Sequence, residues 1–141
     1  MKRLMAVVFF AFLMVGFGFA EQDVTSERQR LFSEIDEAHD ALEDQMDAEQ
    51  WAEMVLAARE QADKIDGLAL LFPESSVGEG RSRKKIWSNW DNFSTRLSDL
   101  SLHYADIERA IIGEDFDAAE KALKAANSGC NSCHMAYRSL W

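Results

Sequence analysis

The sequence predicts an all-α domain, an antiparallel up-down-up-down bundle of four helices. Three observations lead there. Breakers are sparse: beyond residue 20 there is one proline, Pro73, and the glycines are Gly67, Gly78, Gly80, Gly113 and Gly129. Between them Ala, Glu, Leu and Lys abound, all strong helix formers. Apolar residues recur at steps of three and four, and no stretch alternates with the period of a strand.

The first residues read as an export signal. Lys2 and Arg3 precede an uncharged apolar run from Leu4 to Phe19. Gly18, Phe19 and Ala20 place small residues at the two positions that a signal peptidase reads, and Glu21 follows. A run of about 16 residues is short for a membrane span, and no basic cluster follows to stop transfer. Residues 1–20 are therefore expected to be cleaved, with no membrane attachment afterwards. Residues 21–141 form one small domain by length. A two-cysteine exported chain with a Lys-Arg start points to a bacterial periplasm.

Each helix has its own signature. The first opens near Thr25 or Ser26, where Ser26 and Gln29 suit a capping box. Its inner face is Leu31, Phe32, Ile35, Ala38, Leu42 and Met46. The second is expected to start at Asp47 as N-cap, to run through Trp51, Met54, Val55, Ala58, Ala62 and Ile65, and to stop at Gly67. Pro73 ends an apolar stretch, and 74–80 is a loop. The third helix begins near Ser82. Its seam of Ile86, Trp90, Phe93, Leu97, Leu100, Tyr104, Ile107 and Ile111 alternates steps of four and three. That predicts one helix of about 30 residues, roughly 45 Å long, closed by Gly113. The fourth is capped by Asp115 or its neighbour and turns Ala119, Ala122, Leu123, Ala126, Cys130, Cys133 and Tyr137 inward.

The chemistry lies at the end of that fourth helix, in Cys130-Asn131-Ser132-Cys133-His134. On a helix, residues three and four apart share a face, so both sulfurs and the imidazole project together. Two thioether bonds can then hold a porphyrin edge while the imidazole reaches the iron, the spacing of a c-type haem attachment site. A thioredoxin-like redox pair expects a strand–helix–strand context that is absent here. A structural zinc needs four ligands, and His39 and His103 are distant in sequence. A disulfide within one helical turn would strain the helix and leave His134 without a role.

Antiparallel packing sets the level of the other groups. The end of helix four lies beside the start of helix one, the end of helix two and the start of helix three. The haem neighbourhood is thus expected to hold Arg28, Phe32, Ile35, Ile65, Leu68, Ile86, Trp87, Trp90 and Phe93. His39 sits about 10 Å beyond Phe32 along the helix, and Met46 further still. Met54 is mid-bundle, and Met135 shares a helix with His134. No second strong iron ligand falls at the right level, which favours a five-coordinate iron with an apolar distal face.

At this point the chain resembles the cytochrome c′ family over essentially all of residues 21–141. Cys130-Asn131-Ser132-Cys133-His134-Met135-Ala136-Tyr137-Arg138 is similar to the family's C-terminal Cys-x-x-Cys-His-x-x-Tyr-Arg. Arg28-Gln29 followed by Phe32 resembles its helix-one segment, and Ile86-Trp87 with Phe93 resembles the opening of its third helix. The resemblance implies one covalently bound haem c, with thioethers at Cys130 and Cys133 and His134 as proximal ligand. It also implies that Arg28 and Arg138 are polar neighbours of the haem. It further implies a high-spin iron that binds NO and CO, and a homodimer through helices one and two. Low-spin relatives use a helix-one Met, which this chain lacks at that level. Phe32 stands where the family commonly has Leu or Met, so a bulkier ring would restrict ligand entry.

The remaining features fit around this. Trp87, Trp90 and Phe93 are read as pocket wall or ordinary core, and Tyr137 as packing near the proximal side. Arg81, Arg83, Lys84 and Lys85 form a basic run at a helix start, where the dipole disfavours cations. It reads as a solvated first turn, a partner of haem propionates, or a docking patch. The net charge of −10 becomes −12 without Lys2 and Arg3. That acidity repels nucleic-acid phosphates and otherwise serves solubility or a basic partner. Nothing supplies a general base or substrate pocket, so no enzyme is expected. Two roles remain: a diatomic-gas-binding haem protein, or a periplasmic electron carrier with redox partner proteins.

Overall fold

The computed structural model describes residues 23–140. The expected leader and its cleavage after Ala20 lie outside the described residues. Five helices follow in order: α1 Val24–Asp47, α2 Trp51–Leu68, a short α3 Lys85–Ser88, α4 Trp90–Ile112 and α5 Phe116–Tyr137. The four long ones form the bundle, and the described residues contain no strand. None is long and apolar enough to cross a membrane.

α4 packs closely against both α2 and α5, and α1 against α2, whereas α1 and α5 make little direct backbone approach. That gap, at the end of the bundle where α5 finishes, is where the site lies. The core away from it is apolar and tight. Leu42, Met54, Ala58, Ile65, Ile107, Ala119 and Ala126 are fully buried. Three polar contacts cross this core: the Tyr104 hydroxyl meets His39 Nδ1 at 2.7 Å, Gln61 Nε2 donates to the Ile35 carbonyl at 2.6 Å, and Ser101 Oγ donates to the Ala62 carbonyl at 3.3 Å.

The helix ends differ in detail from the expectation. Asp23, not Ser26, caps α1, accepting from Thr25 N at 3.1 Å and Ser26 Oγ at 2.8 Å. Asp47 is the last residue of α1 rather than the cap of α2, whose N-cap is Gln50. Gly67 lies inside α2, which continues to Leu68 and then as a tighter turn to Leu71. Both sharp helix–helix turns use a glutamate in the left-handed region, Glu49 (φ 55°) and Glu114 (φ 56°). Gly113 therefore ends α4 without taking that conformation itself. Asp115 caps α5 as expected, accepting from Ala118 N at 3.0 Å.

The long third helix is broken. Asn89 takes φ −137° and ψ 45°, outside helical space, and separates α3 from α4. The seam survives on either side of the break, with Ile86 and Phe93 buried, but Trp90 is turned outward and is 36% exposed.

Candidate functional site

A cavity of about 320 Å³ opens between α1 and α5. Its proximal wall is the last turns of α5, with Cys130, Cys133, His134, Tyr137 and Arg138. Its opposite wall is α1, with Arg28, Gln29, Phe32, Ser33, Ile35 and Asp36. Leu68, Phe72, Ile86, Phe93, Leu97 and Leu100 form an apolar floor, and Arg81 and Ser82 stand at the rim. The α5 helix delivers the three motif groups to one place because positions 130, 133, 134 and 137 share a helical face.

An aromatic row crosses the floor. Phe32 meets Phe72, Phe72 meets Phe93 at 4.8 Å, and Phe93 meets Tyr137 at 5.3 Å between ring centroids. The Tyr137 hydroxyl, at the far end of this row, donates to Asn92 Oδ1 at 2.7 Å and accepts from Asn89 Nδ2 at 3.1 Å. Those bonds tie the end of α5 to the first turn of α4. Edge-to-face rings of this kind add to the energy of simple burial.

Arg28 is 2% exposed and holds the segment after α2 against α1. Its guanidinium donates to the Leu71 carbonyl at 2.8 Å, Ser76 Oγ at 3.2 Å and the Glu79 carbonyl at 3.1 Å, and lies 4.6 Å from the Phe72 ring centroid. Burial lowers its pKa, while Glu79 and Asp23 partly restore the charged form. Gly80 completes this corner at φ 59°, where a Cβ would stand 2.8 Å from Gln29 Nε2. Arg28 therefore lines the cavity chiefly as a structural clamp.

The electrostatics bear on the redox reading of the motif. Both cysteines are free thiols. Burial, reinforced by the Asp36 carboxylate, pushes the Cys130 thiol up to about 11, and burial raises Cys133 as well. A reactive redox cysteine has the opposite, a depressed pKa. Burial, aided by Arg138, holds the His134 imidazole below its ordinary value. The neutral ring that results is the form that binds a metal. Among the described residues no three His, Cys, Asp or Glu side chains converge as a bare-metal site. A slot with two protonated thiols, one neutral imidazole and apolar walls fits a haem.

Eleven residues expected near the haem line this one cavity: Arg28, Phe32, Ile35, Leu68, Ile86 and Phe93 from α1 to α4, and Cys130, Cys133, His134, Tyr137 and Arg138 from the end of α5. Trp87 and Trp90 do not line it. Trp87 Nε1 donates to the Phe72 and Pro73 carbonyls at 3.0 and 3.1 Å, which turns the indole onto the 72–73 corner. Trp90 leaves the wall because the chain breaks at Asn89. Ile65 belongs to the buried core instead. His39, Met46 and Met54 do not reach the cavity either. Phe72, Asp36, Leu97 and Leu100 line it without having been singled out as site residues, and Arg81 at its rim belongs to the basic run for which a role as propionate partner was one of the three readings. Leu97 and Leu100 continue the seam from Phe93, which is the signal that pointed to them. Asp36 follows Phe32 by one helical turn. Phe72 gave no periodic signal, since it ends an irregular turn before Pro73.

Comparisons with known proteins agree with this geometry. A family model described as "Cytochrome C'" matches residues 23–138. The ferric cytochrome c′ of Alcaligenes xylosoxidans is similar in fold, with a TM-score of 0.77 and 18% identity, covering 84% of this chain and 95% of that one. An arginine-to-lysine variant of that protein, ferrous with bound NO, is similar with a TM-score of 0.76 at 17% identity, covering 84% and 95%. A triple mutant of Rhodopseudomonas palustris cytochrome c′ is similar with a TM-score of 0.72 at 21% identity, covering 83% and 98%. No curated protein is matched in sequence. With the family model spanning almost all of the described residues and the slot fitting a haem, this chain belongs to the cytochrome c′ family of haem proteins.

Proposed function

We propose that this chain is a periplasmic haem c protein that binds diatomic gases such as NO and CO. One haem is held by thioethers to Cys130 and Cys133, and His134 is the sole protein ligand of its iron. In this reading residues 1–20 are the export signal and 21–141 the mature domain. A haem in the slot supplies an iron atom that takes up a diatomic ligand and changes oxidation state. The residues of the chain do the rest. Cys130 and Cys133 anchor and His134 coordinates. Phe32 and Ile35 keep water from the opposite side, and Phe72, Leu97 and Leu100 lower the local polarity.

The observation that carries the reading is the composition of the α1 wall. It faces His134 across the cavity with Phe32 and Ile35, and among the described residues no methionine or second histidine lines the space. The bound NO of one structural relative supports the same choice of ligand. A second reading, electron transfer, is favoured by the exposure of the attachment turn. Asn131 and Ser132 are exposed beside both cysteines, so a partner can approach there. The homodimer implied by the resemblance would use α1 and α2, and Leu56 stands exposed on α2.

The test is twofold. Protein matured in a bacterial periplasm should carry the mass of residues 21–141 plus one haem, and that haem should survive acid–acetone extraction. Its ferrous form should bind CO. Extractable haem sinks the attachment, and failure to bind CO favours the electron carrier.

A further inference from the structure

The charge on this molecule is divided. Segments 81–98 and 128–140 hold six of the 15 Lys and Arg but one of the 25 Asp and Glu, so they carry +5 against −15 elsewhere. The fold brings these two segments together. Arg83 donates to the Met135 carbonyl at 3.2 Å, and Arg96 to Ser132 Oγ at 3.1 Å. Lys85 lies 5.6 Å and Arg96 5.9 Å from the Tyr137 ring centroid. Ser82 and Arg138 pair in an antiparallel bridge. The cations thus ring the helix turns that hold Cys130, Cys133 and His134.

Among the described residues these cations have no carboxylate partner. Arg30, Arg59, Lys64, Arg109 and Lys124 each form an ion pair. Among the described residues, Arg81, Arg83, Lys84, Lys85, Arg96 and Arg138 form none. Part of the basic run has a local cause, because Arg83 bonds a last-turn carbonyl of α5 at the negative end of its dipole. Arg81 and Arg96 likewise bond neutral groups, the Ser139 carbonyl, Asn92 Oδ1 and Ser132 Oγ, which leaves their charge without a described carboxylate. Exposed apolar groups sit among them: Met135 is 80% and Leu140 77% exposed. An apolar centre inside a charged rim is the anatomy of a protein interface.

We propose that this face docks an acidic protein, whose carboxylates meet Arg83, Lys84, Lys85 and Arg96 while an apolar spot covers Met135. The inference deepens the haem reading above, since it places a partner against the haem-bearing turns. A small partner suits the charge pattern better than the alternatives. An anionic membrane is broad and would also meet the acidic flanks, which carry −15 outside the patch. A second copy would have to set its acidic flank on this basic end, a head-to-tail contact that closes no dimer.

The haem-loaded protein should be titrated with flavodoxin and, separately, with poly-L-glutamate, following backbone amide signals by NMR. Shifts should fall on residues 81–85, 96 and 132–138. Binding should weaken as salt rises, although like net charges would make it strengthen. The double variant Lys84→Glu with Lys85→Glu should lose roughly tenfold in affinity. Lys121→Glu with Lys124→Glu changes net charge equally and should stay within about twofold. Lys84→Glu alone, which leaves the cavity untouched, guards against misfolding. Absence of these shifts with both probes overturns the proposal. So does equal loss in the two double variants, tighter binding to phosphatidylglycerol vesicles than to either probe, or a salt-sensitive self-association lost in Lys84→Glu. Haem content and CO binding are read separately, so failure of docking and failure of the haem reading are distinguishable.

Discussion

Phe32 meets Phe72 edge to face, with ring centroids 6.4 Å apart and planes at 75°. The contact holds the α1 ring over the cavity from below, and Phe72 is itself fixed by Phe93 and by the Arg28 guanidinium. A gas that enters on the α1 side has to displace a ring that is braced, not a loose one. Apparent affinity then falls with the fraction of protein in which the ring has moved.

Phe32→Ala should therefore raise the CO association rate and affinity clearly, leaving the spectrum of the unliganded protein nearly unchanged. Phe32 is half-buried, so truncation should cost less than the roughly 3–5 kcal/mol of a fully buried Phe. Flash photolysis of the folded variant measures the effect. A rate equal to that of the parent would show that Phe32 is no gate.

Arg28→Ala should destabilise the protein by about 3 kcal/mol, because it strips partners from the Leu71 and Glu79 carbonyls and from Ser76 Oγ. Arg28→Lys should not rescue it, since one ammonium cannot reproduce a forked set of donors. Denaturant unfolding gives both values. A loss below about 1 kcal/mol would mean that water replaces the clamp.

Either Cys130→Ala or Cys133→Ala should give protein whose haem is lost to acid–acetone or incompletely incorporated. His134→Ala should keep a thioether-bound porphyrin with altered iron coordination. Mass spectra under denaturing conditions separate these outcomes. Full covalent retention in both cysteine variants would contradict the attachment.

Tyr104→Phe should cost about 1–2 kcal/mol, because His39 Nδ1 loses its buried partner. Met54→Leu, close to volume-conserving, should cost less than about 1.5 kcal/mol. Neither should change the iron's spectrum, since neither residue lines the cavity. A spectral change with Met54→Leu would place a ligand where the fold has none.

Much of this was legible in the sequence for a physical reason: long amphipathic helices announce themselves by period. Ile35, Leu42, Ile86, Phe93, Tyr104 and Ile107 are buried where the seam puts them. Antiparallel packing then set Arg28, Phe32 and Phe93 at the level of His134 without any knowledge of contacts. The Asn89 break was invisible, because the seam runs through Trp90 unbroken in period while the backbone does not. The Arg28 clamp was equally hidden, since its partners are carbonyls and one hydroxyl of an irregular segment. Phe72 belongs to the same class. Its position depends on how the chain turns before Pro73, which no periodicity records.

The most direct measurement is the absorption spectrum of the purified ferrous protein, recorded before and after CO. The account predicts a high-spin, five-coordinate spectrum that converts to a six-coordinate CO form, because among the described residues His134 is the only histidine that lines the cavity and no methionine does. A low-spin, six-coordinate spectrum unaltered by CO would contradict it, and would put a second protein ligand on the α1 side of the slot.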